Sequence, residues 1–282
     1  MYPGSHAGDQ PDKPAVLLAG TDRVITYREL NEGSLRLARM LFDAGLRFCG
    51  FVQARGGTVV LMPRFDPEAA LATIERYRIT HSQWVPTMFV RMLKMPEHLR
   101  TKHDLSSHRR AIHAAAPCPV QVKRAMIDWW GPILVEYYAS TEGNGLTFID
   151  SPQWLERPGS VGRAVIGVVR ICDDDGEELA IGETGTVYYE RDAPTFEYHN
   201  DPAKTGAGRH PRLPAWATVG DIGHIDAEGY LFLTDRKAFM IISGGVNIYP
   251  QEIEDALALH PKLPRTPTGK LAKGKLLPSQ SR

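Results

Sequence analysis

DRKAFMIISGGVNIYPQEIE, residues 235–254, joins four kinds of local signal within twenty positions. The polar cluster Asp235-Arg236-Lys237 gives way to an apolar run, Phe239 to Ile242, long enough only for a buried strand. Ser243-Gly244-Gly245 breaks that run. Adjacent glycines permit positive φ and let another backbone or a ligand come close where a side chain would block it. Pro250 then suits the first position of a helix whose apolar residues Ile253, Ala256 and Leu257 recur at i, i+3, i+4. Taken alone, the stretch is an ordinary strand, turn and helix, so its neighbours must give it a task.

Size and charge narrow the possibilities. A chain of 282 residues suffices for roughly two domains, and 43% apolar with 23% charged residues is the make-up of a soluble globular protein. Lys plus Arg and Asp plus Glu each number 33, so no global field favours nucleic acid or an anionic membrane. Cys49, Cys118 and Cys172 are odd in number and widely spaced, which argues against a disulfide framework or zinc site and fits a reducing cytosol. The N-terminal MYPGSHAGDQPDKP lacks an apolar core, no later run approaches a membrane span, and a cytoplasmic protein is expected.

Thr26-Tyr27-Arg28-Glu29 reads as a capping box opening a helix with Leu30, Leu37, Leu41 and Ala44 on one face. Arg47 to Gln53 has neither period nor turn chemistry and reads like a join. From Thr58, strands at Val59–Met62, Ile79–Val85, Ala111–Ala116 and Leu134–Tyr138 alternate with helices opening at Asp66-Pro67 and spanning Thr87–Lys94 and Val120–Trp130. That rhythm predicts an α/β body with a largely parallel, doubly covered sheet, whose ligands bind beyond the carboxyl ends of the strands. Val161 to Tyr189 instead predicts short antiparallel pieces, with a solvated acidic turn at Asp173-Asp174-Asp175-Gly176.

Four polar clusters close expected strands: Tyr138-Ala139-Ser140-Thr141-Glu142-Gly143, Thr218-Val219-Gly220-Asp221, Asp235-Arg236-Lys237 and Thr266-Pro267-Thr268-Gly269-Lys270. In this order they resemble the signature of the adenylate-forming superfamily, which includes acyl-CoA synthetases, luciferases and the adenylation domains of peptide synthetases. The likeness is greatest to fatty-acyl-CoA synthetases, and residues 235–254 are its most specific part. It implies a shortened adenylate-forming fold: a body over residues 1–235 with a β-rich subdomain, and a small, incomplete α+β lid over 236–282.

The resemblance also implies an acid–thiol ligase that uses ATP, Mg²⁺ and coenzyme A. Tyr138 would stack on adenine beside Ala115, Ala116 and Pro117, and Thr141 would bond the α-phosphate. Glu142 would hold magnesium, which prefers carboxylate oxygen. Asp221 and Arg236 would bind the ribose, Lys270 would sit between carboxylate and α-phosphate, and Gly244 and Gly245 would face the pantetheine of coenzyme A. Thr141, Glu142 and Lys270 are thus the expected catalytic set. His113, Trp129 and Trp130 receive no such task and read as core or pocket wall.

The departures from the pattern are local. The family's Ser/Thr/Gly-rich phosphate loop ending in lysine should precede Val59, and no stretch near residues 47–53 provides it. A second block of the lid is missing near residues 261–263, and Ala238 stands at the hinge where Asp or Lys is usual. Two alternatives therefore stand beside a fatty-acyl-CoA synthetase weakened by the missing segments: a non-catalytic module that keeps the AMP or acyl-adenylate side of the pocket, and a spliced fragment that does not fold alone.

Overall fold

The computed structural model describes residues 3–19, 23–32, 52–53, 56–236, 241–243 and 246–248. Two compact units are present: Met1–Gln83 with Pro96–Ser107, and Trp84–Met95 with His108 onward. No helix among the described residues is long and apolar enough to cross a membrane.

In the first unit, β1 (Pro14–Leu18) pairs antiparallel with β2 (Arg23–Thr26) and parallel with β3 (Val59–Leu61). The capping box is formed: the Thr26 N–H donates to the Glu29 carboxylate at 2.8 Å, and the Glu29 N–H to the Thr26 hydroxyl at 3.2 Å. It opens helix α1 (Tyr27–Glu32), whose Tyr27 and Leu30 pack with Ala15 of β1. The buried Tyr27 hydroxyl is satisfied by the Gly57 carbonyl at 2.7 Å. Helix α2 (Pro67–Arg76) starts where Asp66 caps the Ala69 N–H at 2.9 Å with Pro67 in the first turn, and it buries Ala70, Leu71 and Ile74. The strand β4 (His81–Trp84) follows.

The second unit is built on one long sheet. Its strands are β5 (Arg110–His113), β6 (Leu134–Ala139), β7 (Leu146–Asp150), β8 (Ser160–Ile166), β9 (Val168–Cys172), β10 (Gly185–Glu190), β11 (Asp221–Ile225) and β12 (Leu231–Arg236). They lie in the order β5-β6-β7-β8-β12-β11-β10-β9. Among these strands β5 and β6 run parallel, and the pairings from β6 through β9 are antiparallel. The largely parallel sheet expected from the alternating text is thus confined to its first strands. The chain after Ala139 turns back as β7, a strand of five residues between a polar loop and the helix that Asp150 caps, too short to register as a separate signal. The antiparallel pieces expected over Val161–Tyr189 are present as β8, β9 and β10. The acidic turn is also as expected: the Asp173 carboxylate accepts from the Asp175 and Glu177 N–H groups at 2.9 and 2.8 Å. Val161, Val169, Ile171, Val187, Tyr189 and Leu231 form the apolar core of this sheet.

Helix α3 (Pro86–Leu93) and helix α4 (Val120–Trp130) complete this part of the second unit. The wholly buried Lys123 of α4 donates to the Glu136 carboxylate of β6 at 2.6 Å and lies 4.8 Å over the Trp154 ring. His113 of β5, also fully buried, stands 3.7 Å from the same carboxylate. Burial, and then the Lys123 charge, holds its imidazole well below the usual range and therefore neutral. Burial pushes the Glu136 carboxyl up, and the Lys123 contact opposes it. Trp84, Phe89, His113 and Trp130 make a set of edge-on and tilted ring contacts, with His113 fully buried in the core and Trp130 half-buried beside it.

Beyond Arg236 the described residues give a small hairpin. Here β13 (Ile241–Ser243) pairs with β14 (Val246–Ile248), Ser243 opposite Val246. The described parts of the opening stretch are thus the end of β12 and two short strands, and the helix expected after Pro250 lies outside the described residues.

Removing one partner of a buried ion pair strands the other charge in a medium that cannot solvate it. Lys123→Met is expected to cost about 3–5 kcal/mol in denaturant titration, and Lys123→Met with Glu136→Leu to recover most of that loss. A double variant no more stable than the single one would show that the pair does not anchor α4.

Candidate functional site

Two parallel strands bring the first site residues to one edge. His113 of β5 is level with Glu136 of β6. Two residues further along each lie Ala115 and Tyr138, beyond or at the carboxyl ends where open α/β sheets bind ligands. Ala115 adopts φ +73°, a left-handed conformation that costs a residue with a Cβ something of order 1–3 kcal/mol and is held only where its surroundings fix it. Ala115-Ala116-Pro117 leads from β5 into α4 and stays largely exposed.

The second group comes from the far side of the sheet order. Asp221 begins β11 and Arg236 ends β12, and the two are direct partners in the antiparallel register. Two residues expected to share one ribose, fifteen positions apart, are therefore brought side by side by the hairpin that turns at Asp226–Gly229. The buried Asp221 carboxyl also accepts a short hydrogen bond from the Tyr138 hydroxyl, which links the end of β6 to the start of β11 across 83 residues. Gly220, at φ +81°, makes the approach to Asp221 with its N–H bonded to the Thr218 hydroxyl at 3.0 Å. The Tyr138 ring lies 6.3 Å from that of Tyr189. Gly145 provides the space for the latter, since a Cβ there would meet Tyr189 Cδ1 at 1.9 Å.

The loop after β6 is held by its own polar groups and by two side chains from outside it, Arg191 and Tyr198. The Ser140 hydroxyl bonds the Asn144 side-chain oxygen at 2.7 Å, and the Arg191 guanidinium donates to the Asn144 carbonyl at 3.2 Å. Thr141 donates to Glu142 Oε2 at 3.1 Å, and the hydroxyl of Tyr198 donates to Glu142 Oε1 at 2.8 Å. Burial would raise the Glu142 carboxyl. The hydrogen bonds from Tyr198, its own backbone N–H, Thr141 and Ser140 outweigh it and hold the group below the usual carboxylate range, hence ionised near neutrality. Next to this loop opens a cleft of about 260 Å³, lined by Thr186, Tyr188, Tyr198, Lys204, Thr218 and Gly220 among others.

Of the residues expected from sequence, Ala115, Ala116, Pro117, Tyr138, Thr141, Glu142, Asp221 and Arg236 all fall in the second unit, and Tyr138, Asp221 and Arg236 are gathered directly. Lys270, Gly244, Gly245 and the hinge position Ala238 lie outside the described residues. Sequence reasoning passed over Tyr198 and Asn144. The one local signal for Tyr198 is Asp201-Pro202, a helix start that fixes the loop carrying it.

The AMP-binding enzyme family matches residues 40–199 of the chain. A long-chain-fatty-acid–CoA ligase of Bacillus subtilis is 32% identical over 207 residues, 73% of this chain and 36% of that protein. An indoleacetate–CoA ligase of Aromatoleum aromaticum is 37% identical over 210 residues, 74% of this chain and 40% of its own length. Among solved structures, the amide bond synthetase McbA of Marinactinospora thermotolerans superposes with a TM-score of 0.70 at 29% identity, covering 89% of this chain and 47% of that one. The O-succinylbenzoate coenzyme A synthetase MenE of Bacillus subtilis in complex with AMP gives a TM-score of 0.67 at 25% identity, over 93% and 49%. The chain spans about four-tenths of the length of these curated relatives and about half that of the solved chains.

Tyr138→Phe removes one donor to Asp221 and leaves the ring in place. A loss of about 1.5–3 kcal/mol is expected in denaturant titration, the scale of a hydrogen bond to a charged group. No change in the midpoint would show that this bond does not couple β6 to β11.

Proposed function

The chain belongs to the AMP-binding enzyme family, and we propose that it carries the nucleotide-holding part of an AMP-forming ligase that joins a carboxylic acid to coenzyme A. The observation that carries this reading is the hydrogen bond from Tyr138 to Asp221 together with the strand register that sets Asp221 opposite Arg236. In the first half-reaction a carboxylate oxygen attacks the α-phosphorus of ATP and pyrophosphate leaves. In the second, the thiol of coenzyme A loses its proton and attacks the acyl carbonyl, and AMP leaves.

Asp221 and Arg236 are assigned to the ribose: a carboxylate accepts from two neighbouring hydroxyls, and the guanidinium contributes permanent charge and several donors. Tyr138, held at its hydroxyl by Asp221, offers its ring to adenine beside Ala115, Ala116 and Pro117. Thr141 is assigned to the α-phosphate. Glu142 fits a magnesium ion shared with substrate: it offers the hard carboxylate oxygen that magnesium prefers, and its hydrogen bonds hold it ionised. No group of three or more His, Cys, Asp or Glu gathers into a cage among the described residues. Magnesium is commonly held in this way, by one or two carboxylates with substrate phosphates completing the shell. Bound there, it would neutralise charge on the phosphoryl oxygens. Lys270 is assigned to the charge between carboxylate and α-phosphate, and Gly244-Gly245 to the path of coenzyme A. Residues 1–235 are assigned to the body and 236–282 to the lid.

A fatty acid is the proposed acid, supported by the relative from Bacillus subtilis. The indoleacetate–CoA ligase stands at comparable identity, so an aryl acid belongs in the same test. Without a phosphate loop before Val59, turnover is expected to be slow. Even one preorganised donor is worth about 10²–10³ in rate, and the loop would supply several.

ATP–pyrophosphate exchange with a panel of fatty and aryl acids is expected to give a weak signal that Lys270→Ala abolishes. Asp221→Ala is expected to weaken AMP at least tenfold in calorimetry of the folded chain. Exchange indifferent to Lys270→Ala, with no AMP binding, would reject the reading.

A further inference from the structure

Tyr198 is built into the second unit more firmly than a loop aromatic requires. Its backbone N–H donates to the Thr205 hydroxyl at 2.9 Å, and that hydroxyl donates to the Asp201 carbonyl at 2.8 Å. Asp201 in turn caps the short helix Pro202–Ala207 by accepting from the Lys204 N–H at 2.9 Å. The ring is clamped on two sides, by the Lys204 ammonium 4.2 Å from its centroid and by the Phe196 ring edge-on at 5.3 Å. All this support ends in one outward contact, the hydroxyl on Glu142 Oε1.

The two oxygens of Glu142 are not equivalent. Oε2 accepts from its neighbour Thr141, and the other donors to the carboxylate besides Tyr198, namely Ser140 and the Glu142 backbone N–H, belong to the same loop. Oε1 is tied to a different segment, 56 residues away. A glutamate on a loop has three free side-chain torsions, and one bond to a fixed partner removes most of the orientations that would turn the carboxylate away.

We propose that Tyr198 is a positioning residue for Glu142, fixing the carboxylate for a divalent cation shared with the nucleotide phosphates; this rests on the assignment of Glu142 to metal made above. Thr205 and Lys204 act one step further out, through Tyr198. Partners that orient a metal ligand in this way typically change metal affinity by about 10–100-fold when removed.

The test uses the full chain with α,β-methylene ATP, which cannot release pyrophosphate, and Mn²⁺ in place of Mg²⁺. Bound Mn²⁺ is read by electron paramagnetic resonance. Tyr198→Phe is expected to weaken Mn²⁺ about tenfold, with calorimetric affinity for the nucleotide without divalent cation unchanged. Thr205→Val, which loosens the Tyr198 backbone and leaves its hydroxyl, is expected to weaken Mn²⁺ by a smaller factor, and Glu142→Gln to abolish the binding. If Glu142→Gln loses Mn²⁺ while Tyr198→Phe binds it as the native chain does, the positioning role is overturned and the metal assignment stands. If Glu142→Gln binds Mn²⁺ normally, the metal assignment itself fails. A Tyr198→Phe chain whose nucleotide affinity falls along with Mn²⁺ would show a structural role instead.

Discussion

The buried pair of Lys123 and Glu136 is the constraint on which the second unit turns. A carboxylate and an ammonium taken out of water each carry a desolvation cost of several kcal/mol, so neither can be buried without the other. Their 2.6 Å contact therefore pins helix Val120–Trp130 to β6, and His113 can share the space only as a neutral ring. Two residues beyond Glu136 on the same strand comes Tyr138. The firm end of β6 and the polar loop that follows it are consecutive, and the site begins where the buried anchoring stops.

From that point the site is held by side chains reaching across the sheet rather than along the chain. Tyr138 reaches Asp221, and Tyr198 reaches Glu142. The first link joins two strand ends and the second joins a loop to a separately anchored segment, so these groups gain fixed positions from contacts far along the chain. Gly220 and Gly145 serve the same arrangement, one by a backbone conformation that a Cβ would strain and one by leaving room for the Tyr189 ring. Groups that meet a nucleotide must stay accessible, and loops on a rigid sheet meet that condition.

Much of this was legible in the residues. Helix Val120–Trp130 and the turn at Asp173–Gly176 follow from periodicity and turn chemistry, which act over a few positions. The sheet was misread where its strand direction changes. Strand and helix alternate in the text until Tyr138, and β7 then returns antiparallel through Leu146-Thr147-Phe148-Ile149, a run with the same composition whichever way it pairs. Tyr198 escaped notice because an aromatic between Glu197 and His199 has no local mark of function; its meaning is a hydrogen bond to a residue 56 positions earlier.

The sequence by itself determined which residue types stand at strand ends, their order, and the family whose signature that order resembles. These are properties of short stretches, set by propensity, capping and the chemistry of the side chains present. The tertiary structure alone decided that Asp221 lies opposite Arg236, that Tyr138 donates to Asp221, and that Glu142 is held from outside its own loop. Those contacts depend on strand order and register, which are chosen by how the whole sheet buries its apolar faces, and no window of sequence contains that choice.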